Sequence, residues 1–214
     1  MAIYQLYAHK NSYAMTTHLM LEELGIDYQV IWFNVHKPEE FPPEFTTLNP
    51  NARVPVLVTP DGPLYESAAT LMHLAEHHAN RFLPARGRSR DLALQWLFYL
   101  MSTLQPEVLI QFHPERYFPD NPPMRDQLLA ASLRELEPIW RVIDDGLNPG
   151  PWFVGDEYSI CDVLFVMQAI WKENQPGNLA EYPNCVRQMK LAFDRPAVQR
   201  ILNIHGIEHL TDLQ

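Results

Sequence analysis

The chain has 214 residues, of which 47% are apolar, and its 16 basic and 26 acidic side chains give a net charge of −10. This length suits one large domain or two small ones with a sizeable core. The acidic balance argues against nucleic acid as a partner. Because the sequence has no apolar run of about 18 residues and no secretory-signal pattern, we expect a cytoplasmic protein without a membrane span. Two cysteines, Cys161 and Cys185, lack the spacing of a disulfide framework or a metal site.

The first 80 residues alternate between strand and helix patterns. Strands are predicted at 3–8, 27–33, 54–58 and 63–65, and helices at 16–25 and 66–79. Gly25 is predicted to end the first helix, and the pair Asp61-Gly62 is predicted to form a hairpin turn. This order is compatible with a small mixed sheet covered by helices.

From about residue 89 onward, the chain is predicted to be all-α. Apolar residues at helical spacing predict helices at 90–105, 125–147, 161–173, 184–193 and 197–206. Four prolines predict a long loop between two of these helices at 113–124. We therefore predict an α/β domain at 1–80, a linker at 81–88 and a helical bundle domain at 89–214.

Pro55 lies inside a predicted strand, although proline cannot donate a hydrogen bond to a neighbouring strand. One interpretation is a proline at a sheet edge or at the end of the hairpin. The other is a cis peptide bond that exposes the backbone N–H and C=O of Val54, so that an extended, peptide-like ligand pairs with them. The pattern alone leaves both open.

Two segments lie where helices are predicted to begin. Ser67 follows Glu66 at a helix N-terminus, where free N–H groups and the helix dipole favour a carboxylate, although Ser67 is equally suited to cap the helix. Asn11, Ser12 and Tyr13 lie between the first strand and the first helix, a frequent position for ligand sites. A hydroxyl there donates to an anion; otherwise Ser12 is a helix cap and Tyr13 a half-buried aromatic.

Taken in order, these segments resemble the N-terminal domain of glutathione transferases, which has a thioredoxin-like fold. The family segment N-P-x-x-x-V-P-x-L corresponds to residues 49–57, and the family E-S motif corresponds to Glu66 and Ser67. The resemblance implies that Pro55 is cis and that the Val54 backbone pairs with the cysteinyl part of glutathione. It also implies that the E-S motif holds the γ-glutamyl end.

The second half of the chain also resembles this family. The segment YSICDV at 158–163 is similar to the family capping motif S-x-x-D, in which Ser159 caps a helix and Asp162 bonds back to the Ser159 N–H. The segment at 194–202 is similar to the usual C-terminal segment. The resemblance thus covers nearly the whole chain and implies a thioredoxin-like domain followed by an all-helical domain.

The glycine carboxylate of glutathione needs a cation, and three residues are candidates. Lys37 and Arg53 are the first two, and His36 is a weaker third. The alternative for each is an ordinary solvated surface charge.

In the resembled family, one Tyr, Ser or Cys near the first helix stabilises the glutathione thiolate. The beta class of bacterial members uses a cysteine, but this chain has none before Cys161. Serine-type classes place their serine near Ser12, whereas alignment on the first helix brings Tyr13 to the cysteine position. The resemblance therefore implies Ser12 first and Tyr13 second, with Asn11 as a third donor. Tyr7, on the first strand, is assigned to core packing.

The electrophile pocket of this family is expected between the domains. The beta class carries His-Lys near the end of its first long helix, where this chain has Gln105-Pro106, so its substrate contacts are not transferred. The predicted lining residues, each of which also suits ordinary bundle packing, are Phe98, Met101, Gln105, Leu109, Phe112 and Trp171.

No metal is implied by the histidines. His205 and His209 have i,i+4 spacing, but Gly206 is expected to end the helix between them. These residues, together with His77 and His78, are interpreted as surface histidines.

The resemblance implies a glutathione S-transferase that uses glutathione as co-substrate, attacks a small hydrophobic electrophile with the thiolate and forms a homodimer. Glutathione-dependent isomerases, dehalogenases and disulfide reductases use the same thiolate and remain alternatives. A non-catalytic adaptor of the same fold is a further alternative, although intact thiol-binding motifs argue against it.

Overall fold

A computed structural model of the chain describes residues 4–78, 82–173 and 178–207. The described chain divides into two compact units. Unit 1 comprises Met1–Ala85 together with Leu191–Gln214, and unit 2 comprises Arg86–Lys190. His209, one of the predicted surface histidines, lies outside the described residues.

Within the described residues, unit 1 contains a four-stranded mixed sheet with the order β2-β1-β3-β4. Strand β1 pairs in parallel with β2, and the other two pairings are antiparallel. The strands are β1 Tyr4–Ala8, β2 Tyr28–Trp32, β3 Val56–Thr59 and β4 Gly62–Tyr65. This sheet confirms the predicted mixed α/β architecture. Strand β1 lies inside the sheet between β2 and β3, and its side chains are almost all buried.

The hairpin turn between β3 and β4 lies one residue earlier than predicted. Thr59 pairs with Gly62, so Pro60 and Asp61 occupy the turn and the prediction of Asp61-Gly62 was wrong. The Thr59 hydroxyl donates to the Gly62 carbonyl at 2.9 Å and accepts from the Asp61 N–H at 3.1 Å. This hydroxyl holds both ends of the turn, a contact that the Asp-Gly pattern does not reveal.

The helices of unit 1 are α1 Ala14–Leu24, α2 Phe45–Leu48, α3 Ser67–His78 and α9 Pro196–His205, and a 3₁₀ turn spans Pro38–Glu40. Gly25 ends α1 in the left-handed conformation at φ 62°, as predicted. The sequence boundary assigned every residue after 89 to the helical domain, whereas α9 belongs to unit 1. The reason is visible just before α9, where Arg195 donates two hydrogen bonds to Glu23 of α1 at 2.6 and 2.7 Å.

Unit 2 is helical in its described part, as predicted. Its helices are α4 Arg88–Tyr99, α5 Gln105–Phe112, α6 Pro122–Gly146, α7 Ile160–Glu173 and most of α8 Pro183–Phe193. The helix predicted at 90–105 continues through a π-helical turn, Leu100–Leu104, into α5. The loop predicted at 113–124 contains a 3₁₀ turn, Pro114–Arg116, and ends where α6 begins. No helix among the described residues is long and apolar enough to cross a membrane.

The predicted capping motif at the start of α7 is confirmed. The Ser159 hydroxyl accepts from the Cys161 N–H at 3.3 Å, and the Ser159 N–H donates to the Asp162 carboxylate at 2.8 Å. Cys161 and Cys185 are both free and buried. Burial raises the pKa of each thiol well above its usual range, so neither is a reactive thiolate.

Candidate functional site

The loop between β1 and α1 is built around Ser12. Its Oγ donates to the His9 carbonyl at 2.6 Å and accepts from the Ala14 N–H at 3.3 Å. The Ser12 carbonyl accepts from the Met15 N–H at 2.9 Å, which starts the helix. A hydroxyl has a single proton, and Ser12 gives it to His9, so in this structure the Ser12 hydroxyl holds the turn that leads into α1.

Asn11 and Tyr13 flank this serine and differ in exposure. Asn11 is exposed and left-handed, with φ 55°, and its backbone N–H donates to His205 Nδ1 at 3.0 Å. Tyr13 is only 7% exposed, and its carbonyl accepts from the Thr16 hydroxyl at 2.8 Å. Asn11 is therefore the most exposed residue of the predicted trio, followed by the half-buried Ser12.

The segment before β3 is held by a buried asparagine that the sequence did not single out. The Asn49 amide donates to the Arg53 carbonyl at 2.8 Å, and its side-chain oxygen accepts from the Asn51 N–H at 3.0 Å. The Val54-Pro55 peptide bond, which follows this turn, is cis. Strand pairing begins only at Val56, so the Val54 backbone lies beyond the end of the ladder. The first position of the N-P motif was the signal for Asn49.

Glu66 and Ser67 lie where β4 passes into α3. Glu66 is exposed and has φ 72°, a conformation uncommon for a residue other than glycine. Its carbonyl accepts from the Thr70 N–H at 3.0 Å, and Ser67 is the first residue of the helix and is buried. The N-terminus of α3 thus has an exposed carboxylate beside it, as a ligand carrying both an ammonium and a carboxylate requires.

The three candidate cations have different partners. Lys37 Nζ lies 2.7 Å from Glu40 Oε1, and both side chains are about half exposed. The His36 ring packs edge-on against His9, with ring centroids 5.4 Å apart. Arg53 is exposed and follows the Asn49 turn directly. The Lys37 charge is already offset by Glu40, so Arg53 is the better candidate for an anion.

The predicted electrophile-binding residues all lie in unit 2. The Phe112 and Trp171 rings are 5.2 Å apart, and Phe112 is 40% exposed. The Gln105 side-chain oxygen is buried and accepts no hydrogen bond from the described residues. The most exposed of the set is Phe98, at 59%, while Met101 and Leu109 are partly buried.

Tyr7 lies in the core of unit 1. It is 3% exposed and packs in a cluster with Phe45 and Val56. Its hydroxyl donates to Glu44. Burial, and secondarily this hydrogen bond, raise the pKa of Tyr7 to about 12.

The interpretation of His205 as a surface histidine was wrong. His205 is 4% exposed and its Nε2 lies 3.1 Å from Nδ1 of His18, itself 1% exposed. His77 and His78 are exposed, as predicted. Among the described residues, no group of three or more potential ligands could hold a metal ion.

The fold and this arrangement of sites define a thioredoxin-like α/β domain followed by a helical region. Residues 12–77 match the family model described as glutathione S-transferase, N-terminal domain. The disulfide-bond oxidoreductase YfcG of Escherichia coli strain K12 is 31% identical over 191 residues, which cover 86% of this chain and 87% of that protein. The chain belongs to the glutathione transferase superfamily.

Two further comparisons agree with this membership. Glutathione S-transferase GstB of Escherichia coli strain K12 is 26% identical over 196 residues, covering 87% of this chain and 90% of that protein. The solved structure of Ure2p in complex with glutathione has a TM-score of 0.82 and 26% identity, covering 93% of this chain and 97% of that chain.

Proposed function

We propose that this protein binds glutathione and stabilises its thiolate at the loop that leads into α1. The observation that carries this proposal is the exposed, left-handed Asn11 at the start of that helix. Exposed donors at a helix N-terminus favour a neighbouring anion. The glutathione bound in the Ure2p structure supports glutathione as the ligand of this fold.

In the proposed complex, glutathione lies in an extended conformation along the end of β3. The N–H and C=O of Val54 pair with its cysteinyl residue, as an added strand would. Glu66 takes the γ-glutamyl ammonium, and the Ser67 end of α3 takes the γ-glutamyl carboxylate. Arg53 binds the glycine carboxylate, and Lys37 contributes once its exposed, weakly held pair with Glu40 opens.

We assign the thiolate donor to the Asn11 side-chain amide, ahead of Ser12 and Tyr13. Ser12 already gives its proton to the His9 carbonyl, and Tyr13 is buried. A thiol like that of cysteine has a pKa of about 8.5, and lowering it by 2 requires about 2.7 kcal/mol. One hydrogen bond to a charged group supplies about 1.5–3 kcal/mol. The donor and the α1 dipole therefore suffice, and no metal is needed.

The proposed reaction is transfer of glutathione to a hydrophobic electrophile. The thiolate sulfur forms a bond to an electrophilic carbon, and the leaving group departs with the electron pair of the broken bond. We propose that the helical unit supplies the apolar surface for this substrate. Its residues would be Phe98, Met101, Gln105, Leu109, Phe112 and Trp171. A cytoplasmic homodimer is part of the same proposal.

Disulfide reduction is the second candidate, because the 31% identical relative is named a disulfide-bond oxidoreductase. The same thiolate would attack a disulfide sulfur, form a mixed disulfide and release the other sulfur as a thiolate. A second glutathione would then release the product and leave oxidised glutathione.

The proposal is tested by titrating the thiolate absorbance of glutathione bound to the purified protein. We expect a thiol pKa about 2 below that of free glutathione. Binding with an unchanged thiol pKa, or the absence of binding, would contradict thiol activation and favour an adaptor. Turnover with an aryl halide, compared with turnover of a small disulfide, then separates the transferase from the reductase.

Asn49→Ala is expected to weaken glutathione binding without changing thiol activation. The substitution removes two hydrogen bonds that hold the turn before Val54, each contributing about 1 kcal/mol, so the Kd should rise by up to roughly 30-fold. The thiol pKa of bound glutathione should stay low, because the Asn11 loop keeps its contacts. Asn51→Ala is the matched control, since only the backbone of Asn51 takes part in this turn. Equal effects of the two substitutions on Kd would contradict the role of Asn49.

A further inference from the structure

A hydrogen bond connects the last described helix of unit 1 to the proposed thiol site. His205, at the end of α9, accepts at Nδ1 from the Asn11 backbone N–H at 3.0 Å. Its other ring nitrogen, Nε2, lies 3.1 Å from Nδ1 of His18 on α1. Both histidines are at most 4% exposed, so the contact between the two rings is buried, whereas the bond to Asn11 is partly buried.

The chain of hydrogen bonds continues from His18 to the surface of the same unit. His18 Nε2 lies 2.9 Å from the hydroxyl of Tyr28 on β2. Tyr28 donates to the carboxylate of Glu22, one turn further along α1. The second oxygen of that carboxylate accepts from Arg200 Nε at 2.7 Å, so the chain returns to α9.

The first link determines the position of every proton along this chain. A backbone N–H can only donate, so Nδ1 of His205 is unprotonated and the proton of the neutral ring is on Nε2. That proton is donated to His18 Nδ1, which leaves the His18 proton on Nε2, facing the Tyr28 oxygen. The Tyr28 proton in turn goes to Glu22. Each donor meets one acceptor, and reversing any link would set two donors against each other.

The charges around the two histidines favour this neutral arrangement. Burial, and secondarily the neighbouring His18, Lys10 and His9, together lower the pKa of His205 to about 3. Burial lowers the pKa of His18 to about 4, against the attraction of Glu22. The Trp32 ring of β2 faces both histidines, at 5.7 Å from the His18 ring and 5.3 Å from the His205 ring. Both rings should therefore stay neutral down to mildly acid pH.

Glu22 supports the arrangement from the other end. Burial acts to raise the pKa of its carboxyl, but hydrogen bonds from Tyr28 and Arg200, with the Arg200 charge, outweigh it and hold the pKa below the usual value. Glu22 is thus a carboxylate that accepts the Tyr28 proton.

We propose that His205 is a positioning residue for thiol activation. Its Nδ1 holds the Asn11 N–H and so keeps Asn11 in the left-handed conformation that presents its side-chain amide. Such a conformation is unfavourable for most residues and persists when surrounding contacts enforce it. His18, Tyr28 and Glu22 fix the tautomer that leaves Nδ1 able to accept. The inference rests on the proposed function of Asn11.

Two substitutions of His205 separate its two nitrogens. In His205→Asn, the shorter amide can place its oxygen near the position of Nδ1 and still accept from Asn11. In His205→Gln, the longer amide reaches the position of Nε2 and contacts His18 instead. We expect His205→Gln to raise the thiol pKa of bound glutathione by about 1 and to lower turnover about tenfold. His205→Asn should retain most of both. His77→Gln, on the exposed part of α3, is the control and should change neither.

A second measurement needs no glutathione. Nitrogen-15 NMR of the wild-type protein should show His205 neutral between about pH 5 and 8, with its proton on Nε2. Amide exchange at Asn11 should be slow in wild type and in His205→Asn, and faster in His205→Gln.

The outcomes distinguish this inference from the proposed function. A His205 proton on Nδ1, or a charged ring at pH 6, would overturn the inference whatever the activity. The expected tautomer with a thiol pKa that neither His205 variant changes would overturn the positioning role and leave thiol activation standing. An unshifted thiol pKa in wild type would refute the proposed function, and Asn11 amide exchange in the two variants would still decide whether His205 holds the loop.

Discussion

Asn11→Gly is expected to lower turnover about 100-fold and to raise the thiol pKa of bound glutathione by about 2. The substitution removes the side-chain amide that we assign as thiolate donor. Glycine adopts the φ of 55° found at this position without strain, so the loop backbone and its bond to His205 are retained. Glutathione affinity should change little, because Val54, Glu66 and Ser67 are untouched. Thiolate absorbance and steady-state kinetics measure these quantities.

Ser12→Ala is the informative comparison, since the two residues are neighbours. The Ser12 hydroxyl accepts from the N–H of the first residue of α1 and gives its proton to His9, so its loss should cost about 1 kcal/mol of stability and less than tenfold in turnover. Asn11→Asp keeps the shape of the side chain but replaces the donor by a negative charge, and it should be at least as inactive as Asn11→Gly. A 100-fold loss in Ser12→Ala with near-normal Asn11→Gly would identify Ser12 as the donor instead.

The architecture could be predicted from the sequence because buried faces of helices and strands place apolar residues at regular spacings. The strands at β1 and β2 and the helices α1 and α3 were predicted within two residues of their observed ends over the described range. Helix α2, Phe45–Leu48, was missed because four residues are too few to show a helical period. Its single buried side chain, Phe45, contributes to the core through tertiary packing that no local pattern reports.

The histidine chain was missed for a different reason. His205 continues the spacing of Val198 and Ile201, the buried face of α9, so the period did place it on the inner side. Histidine counts as polar in such a pattern, and the interpretation as a surface residue followed from its type. Its partner His18 is 187 positions away in the sequence. Only the fold brings the two rings together. The one sequence signal for the burial of His205 was its position, as a polar residue, on the apolar face of α9.

The candidate site shows the same division between local and tertiary information. The sequence motifs identified Val54, Glu66 and Ser67 as candidate glutathione-binding residues, because the resemblance to the family rests on those residues. The ranking of Ser12 and Asn11 as thiolate donors depends on which group accepts the Ser12 hydroxyl proton. That acceptor is the His9 carbonyl, three residues earlier, and the turn that brings it close was not predicted. Sequence reasoning therefore predicted this loop as the thiol site, and the choice of Asn11 within it is a proposal that depends on the hydrogen bonds of the folded loop.

Asp162→Ala is expected to be among the most destabilising single substitutions in the helical unit, costing about 3–4 kcal/mol of unfolding free energy. The buried carboxylate accepts from the Ser159 N–H and hydroxyl at 2.8 Å each. It also accepts from the Phe153 N–H and the Gln188 amide at 3.2 Å each. Alanine removes the reciprocal half of the capping motif of α7 and leaves four donors without this acceptor at a buried position. The resulting loss is a large share of the total stability of a typical domain, about 5–15 kcal/mol.

Asp91→Ala is the matched control, because Asp91 also lies in the first turn of a helix of unit 2 but is exposed. Only the interaction with the helix dipole is lost there, so the cost should be about 0.5 kcal/mol. Asp162→Asn keeps one acceptor oxygen and should fall between the two. Burial raises the pKa of Asp162 to about 6, so urea unfolding at a pH of about 7.5 compares the ionised wild type with each variant. If Asp162→Ala cost no more than Asp91→Ala, the four hydrogen bonds would merely offset the desolvation of the carboxylate, and the stability of α7 would have to come from its apolar face alone.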